Sequence, residues 1–162
     1  MGGVTDLREA LAACRLVALD TMIFSCHLAN SPRYAHLTGV VLETIESGRV
    51  AGLTTTVTLA EVLTAPAQAG KRRAMQDYEI YLTHFPNLRL ISLDVTLARE
   101  TALVRAATGL RTPDAITVAA ARLYGADGIV INDRRWAGRV LAPALIILDE
   151  YLASSLPGRS SE

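Results

Sequence analysis

Short apolar runs alternate with stretches of helical period along the whole chain. Residues 15–20 (RLVALD), 50–56, 88–93, 128–131 and 144–148 each read as a strand. A brief apolar run such as 15–20, bounded by turn residues, is the pattern of a strand buried on both faces, while 88–93 alternates. Helices fill the intervals. Residues 21–28 form one, and Asn30-Ser31-Pro32 separates it from a second over 34–47, where Tyr34, Leu37, Val41, Leu42 and Ile45 share a face ahead of Gly48. Thr58-Leu59-Ala60-Glu61 has the form of a capping box that opens a third helix before Val62 and Leu63. Residues 71–85 place Met75, Tyr78, Tyr81, Leu82 and Phe85 on one side, and Pro86-Asn87 breaks them off. Asp94 caps a helix to about residue 107, closed by Gly109. Thr112-Pro113-Asp114 opens another that runs to Tyr124, and a short helix lies around 135–138. Strands that alternate with helices predict an α/β fold: a three-layer sandwich with a mostly parallel central sheet flanked by helices.

At 162 residues, of which 51% are hydrophobic and 20% charged, the chain has apolar mass for one core and fits one domain of the usual 100 to 150 residues or slightly more, about the commonest size. No apolar run approaches the roughly 18 residues of a membrane span. The start, Met-Gly-Gly-Val-Thr-Asp, lacks the basic and apolar regions of a signal peptide, so a cytoplasmic protein is expected. Cys14 and Cys26 are too few for a disulfide scaffold and read as reduced core residues. Sixteen basic residues balance sixteen acidic ones, so the totals give no attraction to nucleic acid or anionic lipid.

Ligands of an open parallel sheet bind beyond the carboxyl ends of its strands, which singles out particular acids. Asp20 stands directly after Leu16-Val17-Ala18-Leu19, and Asp133 follows Gly128-Ile129-Val130-Ile131 and Asn132. A charge at the mouth of a buried strand is costly without a partner, and two such acids by chance would be unusual. Glu61 and Asp114 lie in the first turns of helices that border the same edge. Alone, Asp114 reads as a partner for the helix dipole and Glu61 as the acid of a capping box. Together, four carboxylates repel, and the natural compensation is a hard divalent cation with oxygen ligands, Mg²⁺ or Mn²⁺.

Leu19-Asp20-Thr21 after an apolar strand, Thr58-x-x-Glu61 and Arg111-Thr112-Pro113-Asp114-Ala115-Ile116 opening helices, and Asn132-Asp133-Arg134-Arg135-Trp136 after a strand resemble the PIN-domain family. The likeness spans about residues 15 to 150 and is strongest to VapC-like toxin ribonucleases. It divides the chain into an N-terminal helical extension (1–14), a PIN-like nuclease domain (15–152) and a flexible tail (153–162). The resemblance implies metal-dependent hydrolysis of RNA, with Asp20, Glu61, Asp114 and Asp133 as the acids around Mg²⁺ or Mn²⁺, and an antitoxin protein as partner. Thr21 and Asn132 become orienting residues; for each, a purely local turn or cap role is equally open. Met22 and Ile131 depart from the hydroxyl- or amide-bearing residues common in the family at these positions.

Without the four site acids the chain is basic, 16 residues against 12. Among Lys71, Arg72, Arg73, Arg111, Arg134 and Arg135, the two beside site motifs, Arg111 and Arg134, are the expected RNA-phosphate contacts. The three histidines read as incidental, and Asp77, Glu79, Asp127, Asp149 and Glu150 as exposed charges without chemistry. Tyr34, Leu37, Tyr78, Tyr81 and Phe85 offer apolar surface on which a homodimer is expected. A haloacid-dehalogenase-type phosphatase needs a second acid where Met22 stands, and a receiver domain needs a late lysine where the sole lysine is Lys71. The competing class that survives is a catalytically idle PIN-like module that binds RNA or protein.

Overall fold

The computed structural model describes residues 2–152, and the expected tail over 153–162 lies outside the described residues. Helix α1 (Val4–Ala12) leads into β1 (Leu16–Leu19), α2 (Thr21–Leu28), α3 (Ala35–Glu46) and β2 (Ala51–Thr55). Then come α4 (Thr56–Gln68), α5 (Arg72–Thr83), β3 (Leu88–Ile91), α6 (Val95–Thr108) and α7 (Thr112–Leu123). Strand β4 (Gly128–Ile131), a 3₁₀ turn (Arg134–Trp136), β5 (Ala144–Ile147) and a second 3₁₀ turn (Leu148–Tyr151) complete it.

All strand pairings are parallel, in the order β3-β2-β1-β4-β5. The α/β sandwich expected from the alternation is therefore present. Its apolar side chains divide by strand period: Val17, Leu19, Val130 and Ile146 face one helical layer, and Ala18, Leu53, Ile129, Ile131 and Ile147 the other. Burial on both faces explains why β1 and β4 carry no polar alternation, whereas β3, at the sheet edge, alternates with Arg89 exposed. The chain winds from β1 outward through β2 and β3, then returns to β4 on the other side of β1. The crevice of such a sheet opens where the winding reverses, at the carboxyl ends of β1 and β4.

One local expectation is corrected. Helix α4 begins at Thr56 and Thr58 does not cap it: the Thr55 side chain accepts from the Thr58 amide at 3.3 Å. Strand β2 runs straight into its helix, so the last hydroxyl of the ladder, Thr55, takes the cap and Glu61 falls outside any capping box. The face on which a homodimer is expected is only partly used inside the chain. Leu37, Leu82 and Phe85 are buried, and Tyr81 meets Phe85 edge-on with ring centroids 5.3 Å apart. Tyr34, Tyr78 and Tyr81 remain partly exposed. Both cysteines are free and only partly buried.

Residues 1–14 extend the domain in sequence, yet α1 packs as part of its core. Leu7 and Leu11 are fully buried in the layer that holds α3, and the Arg8 guanidinium reaches Glu43 of α3 at 3.1 Å. Truncation of such a buried leucine leaves a cavity and costs about 2 to 5 kcal/mol. Urea denaturation of Leu11→Ala should show a loss in that range; a loss below about 1 kcal/mol would mark α1 as a peripheral appendage.

Candidate active site

Asp20 is the residue that ends β1 and precedes α2. Its amide donates to the Val130 carbonyl at 3.2 Å, which extends the β1–β4 ladder by one rung and fixes the acid over the reversal of winding. Asp133 emerges from the neighbouring strand two residues past Ile131. Asp114 sits in the first turn of α7, whose buried face is rich in small residues: Ala115, Ala119, Ala120 and Ala121. Small side chains let this helix lie close to the sheet, where it packs on β1, β2 and β4. Glu61 lies in the second turn of α4, the helix that leaves β2 without a loop. All four acids thus border one edge of the sheet.

Their electrostatics record that proximity. Burial pushes the Asp20 carboxyl from its ordinary 3.8 up to about 6; the Thr21 amide works against this, and the charges of Asp114, Glu61 and Asp133 add to it. Glu61 is also raised, through burial first and Asp114 among the rest, while a hydrogen bond from Thr21 opposes the rise. Burial raises Asp114 as well, against the pull of Arg111, whose Nε stands 3.6 Å from its carboxylate. Asp133 moves the other way. Hydrogen bonds from the Arg135 side chain hold it below the ordinary carboxylate range.

The two expected orienting residues serve different ends. The Thr21 hydroxyl meets the buried Thr58 hydroxyl at 3.1 Å and also serves Glu61, so it joins α2 to α4 beside the acids. Asn132 turns to the chain terminus: its Oδ1 accepts the Asp149 amide at 2.8 Å. Asp149 in turn accepts the Tyr34 hydroxyl at 2.7 Å, and Arg33 lies 3.5 Å away. Asp127 accepts the amides of Arg15 and Leu16 at 2.8 and 3.2 Å and fixes the start of β1. Asp127 and Asp149 are therefore structural acceptors, where the sequence suggested idle charges. His27 faces α3, with Nδ1 3.5 Å from Thr38 Oγ1.

Two clefts flank the acids. One, of about 430 Å³, is lined by Glu61 together with Leu28, Val62, Ala65, Pro66 and Tyr78. The other, of about 120 Å³, is lined by Asp114, Asp133, Arg111, Arg135, Arg139 and Trp136. Of the two arginines expected at substrate, Arg111 lines this second cleft and Arg134 does not; Arg135, a candidate ranked below Arg134, and Arg139, which sequence reasoning passed over, do. No signal in the spacing distinguishes Arg134 from Arg135, because a long side chain after a turn can lie in either direction.

The donor set of four carboxylates has the hard-oxygen chemistry of a Mg²⁺ or Mn²⁺ ligand set. Among the described residues, no three acid, histidine or cysteine side chains are gathered tightly enough to ligate one ion as they stand. Asp114 is drawn toward Arg111 and Asp133 is held by Arg135. The residues fit such an ion in kind, and complete ligation requires Asp133 to part from its arginine.

The profile of the PIN domain family matches residues 17–139. The chain belongs to the PIN-domain family. PIN domains are nucleases, and the four-acid edge lies within the matched span. The fold is also that of a VapBC2 structure from Rickettsia felis bound to a promoter DNA fragment, at 17% identity and TM-score 0.64, covering 82% of this chain and 98% of that one. VapC20 from Mycobacterium tuberculosis, described as a sarcin-ricin loop cleaving toxin, aligns at 12% identity and TM-score 0.62 over 79% of this chain and 98% of that one. A toxin-antitoxin complex from Klebsiella pneumoniae gives 20%, 0.59, 80% and 95% in the same order. No curated protein matches the sequence. No helix among the described residues is long and apolar enough to cross a membrane.

The raised Asp20 carboxyl links the stability of this PIN domain to pH. The folded state binds the proton more tightly than the unfolded chain, so the stabilisation is complete below about pH 4 and lost as pH climbs through about 6. In EDTA at pH 7.5, Asp20→Asn should therefore raise stability, by up to about 3 kcal/mol, and at pH 4 the gain should shrink toward zero. Thermal melting of both proteins across that range checks it; a variant less stable at pH 7.5 would show that burial and neighbouring charge do not penalise ionised Asp20.

Proposed function

We propose that this PIN domain is a ribonuclease that hydrolyses RNA phosphodiester bonds with Mg²⁺ or Mn²⁺ held by Asp20, Glu61, Asp114 and Asp133, and that it is the toxin of a toxin-antitoxin pair. The observation that carries the reading is Asp20: a carboxyl at the mouth of the central strand, raised to about 6 by burial with three other acids adding to the effect. A site that concentrates negative charge at a cost to stability suits a divalent cation better than it suits the fold. Bound there, such an ion supplies charge neutralisation on phosphoryl oxygens and a more acidic water. Asp20, Asp114 and Asp133 would hold it. Glu61, braced by Thr21, would position a second ion or the attacking water. Arg111, and on the sequence reading Arg134, would bind flanking phosphates, which positions the scissile bond.

The toxin assignment draws support from solved structures of the same fold that are themselves described as toxin-antitoxin complexes. An apolar cleft beside Glu61 supports a partner as well, since a segment laid along Leu28, Val62 and Tyr78 would cover that acid. The reading places the protein in the cytoplasm, with its RNA. One observation favours the idle module instead: Asp133 already has its charge satisfied by Arg135, so the acids are partly neutralised without an ion.

Pure protein with labelled RNA in Mn²⁺ or EDTA separates the two readings. The ribonuclease reading expects cleavage in Mn²⁺ alone, reduced at least about a hundredfold in Glu61→Gln, the low end of what positioned acid-base groups contribute. RNA that is bound yet left intact in Mn²⁺ by the wild-type protein would establish the module and overturn the enzyme.

A further inference from the structure

The Asp133–Arg135 pair differs from an ordinary surface ion pair in how completely it occupies the acid. Oδ1 accepts from the Arg135 amide and from its Nε, both at 2.9 Å, and Oδ2 accepts from Nε at 3.1 Å and from a terminal nitrogen at 2.7 Å. Both oxygens face the guanidinium fork, so the acid cannot complete a ligand set while the fork is in place.

The two partners are anchored unequally. Asp133 extends from β4, and its neighbour Asn132 is tied to the Asp149 amide. The Arg135 side chain is 77% exposed, and among the described residues Asp133 supplies its only ion pair. The arginine is the half free to move. It has a destination in the cleft of about 120 Å³ where Arg111 and Arg139 stand with it on the wall. Three guanidinium groups facing two carboxylates leave that cleft with surplus positive charge once a divalent cation has taken the acids. A planar guanidinium fork matches a phosphate as well as it matches a carboxylate.

We propose that Arg135 is a displaceable counter-ion: it holds Asp133 while no divalent cation is seated, and on displacement it joins Arg111 and Arg139 to bind a phosphate of the RNA strand beside the scissile one. The inference rests on the ribonuclease reading and adds to it a substrate-binding role for Arg135 and Arg139. The cation and the guanidinium compete for one carboxylate, while the guanidinium and the RNA phosphate are partners. Loss of Arg135 therefore acts in opposite directions on the two.

The test compares Arg135→Gln with Arg139→Gln, which removes the same charge from the cleft without touching Asp133. Mn²⁺ affinity is measured by calorimetry on the full chain without RNA, and kcat/KM for an RNA oligonucleotide at saturating Mn²⁺. Arg135→Gln should bind Mn²⁺ about tenfold more tightly than the wild type, the change expected when one charge-assisted competitor is removed, and Arg139→Gln less than about threefold more tightly. Both variants should lose about tenfold in kcat/KM, the loss expected of one phosphate-binding guanidinium. Equal melting temperatures in EDTA confirm that the exposed side chains leave the fold intact. Unchanged or weaker Mn²⁺ binding by Arg135→Gln would overturn the counter-ion role, and unchanged kcat/KM would overturn the phosphate role. A wild-type protein that binds no Mn²⁺ would instead overturn the metal-dependent reading beneath both.

Discussion

Every functional feature of this domain depends on the position of β1. It is the central strand, hydrogen-bonded in parallel on both sides to β2 and β4 and buried on both faces. Such a strand has no solvent along its length, and its first exit to water is its carboxyl end. The chain places Asp20 there. Because the winding reverses at β1, the helices that follow β1 and β2 diverge from the one that precedes β4, and the opening between them is where Glu61, Asp114 and Asp133 arrive. The acids come from remote parts of the sequence and are neighbours only because the sheet makes them so.

The charges are not balanced alike. Asp114 and Asp133 each lie beside an arginine of the same turn, at 3.6 and 2.7 Å, whereas Asp20 has burial and like charge around it. The edge therefore has a fixed, frustrated interior acid and an outer pair whose counter-ions are mostly exposed. Water screens pairs whose guanidinium groups are this exposed. They are inexpensive to exchange, and the interior acid gains most from a cation. The ranking of the four carboxylates by burial is thus also a ranking of their need for a metal.

Much of this was legible in the sequence. Apolar runs ending in Asp20 and preceding Asp133 announced both the strands and the acids, because a charge beside a buried strand has few structural uses. Thr112-Pro113-Asp114 announced a helix start that the structure bears out. Thr58-x-x-Glu61 misled because Thr55, Thr56 and Thr58 can all cap, and only the end of the β2 ladder decides among them. The roles of Asp127 and Asp149 were hidden because each accepts from backbone more than a hundred residues away or from a tyrosine on another element. Arg135 was ranked below Arg134 for a different reason: the direction of a long side chain is set by where an acid stands in space, and no period in the sequence encodes it.

The proposed role of the four-acid edge is to hold a divalent cation, and the most direct test is to locate the ion. Crystals of the protein grown or soaked in Mn²⁺ and measured at the manganese absorption edge should show an anomalous peak at the carboxyl ends of β1 and β4, within about 2.3 Å of an Asp20 oxygen, with Asp133 turned away from Arg135 and toward the peak. An edge without a peak at millimolar Mn²⁺, with Asp133 still held in the Arg135 fork, would contradict it.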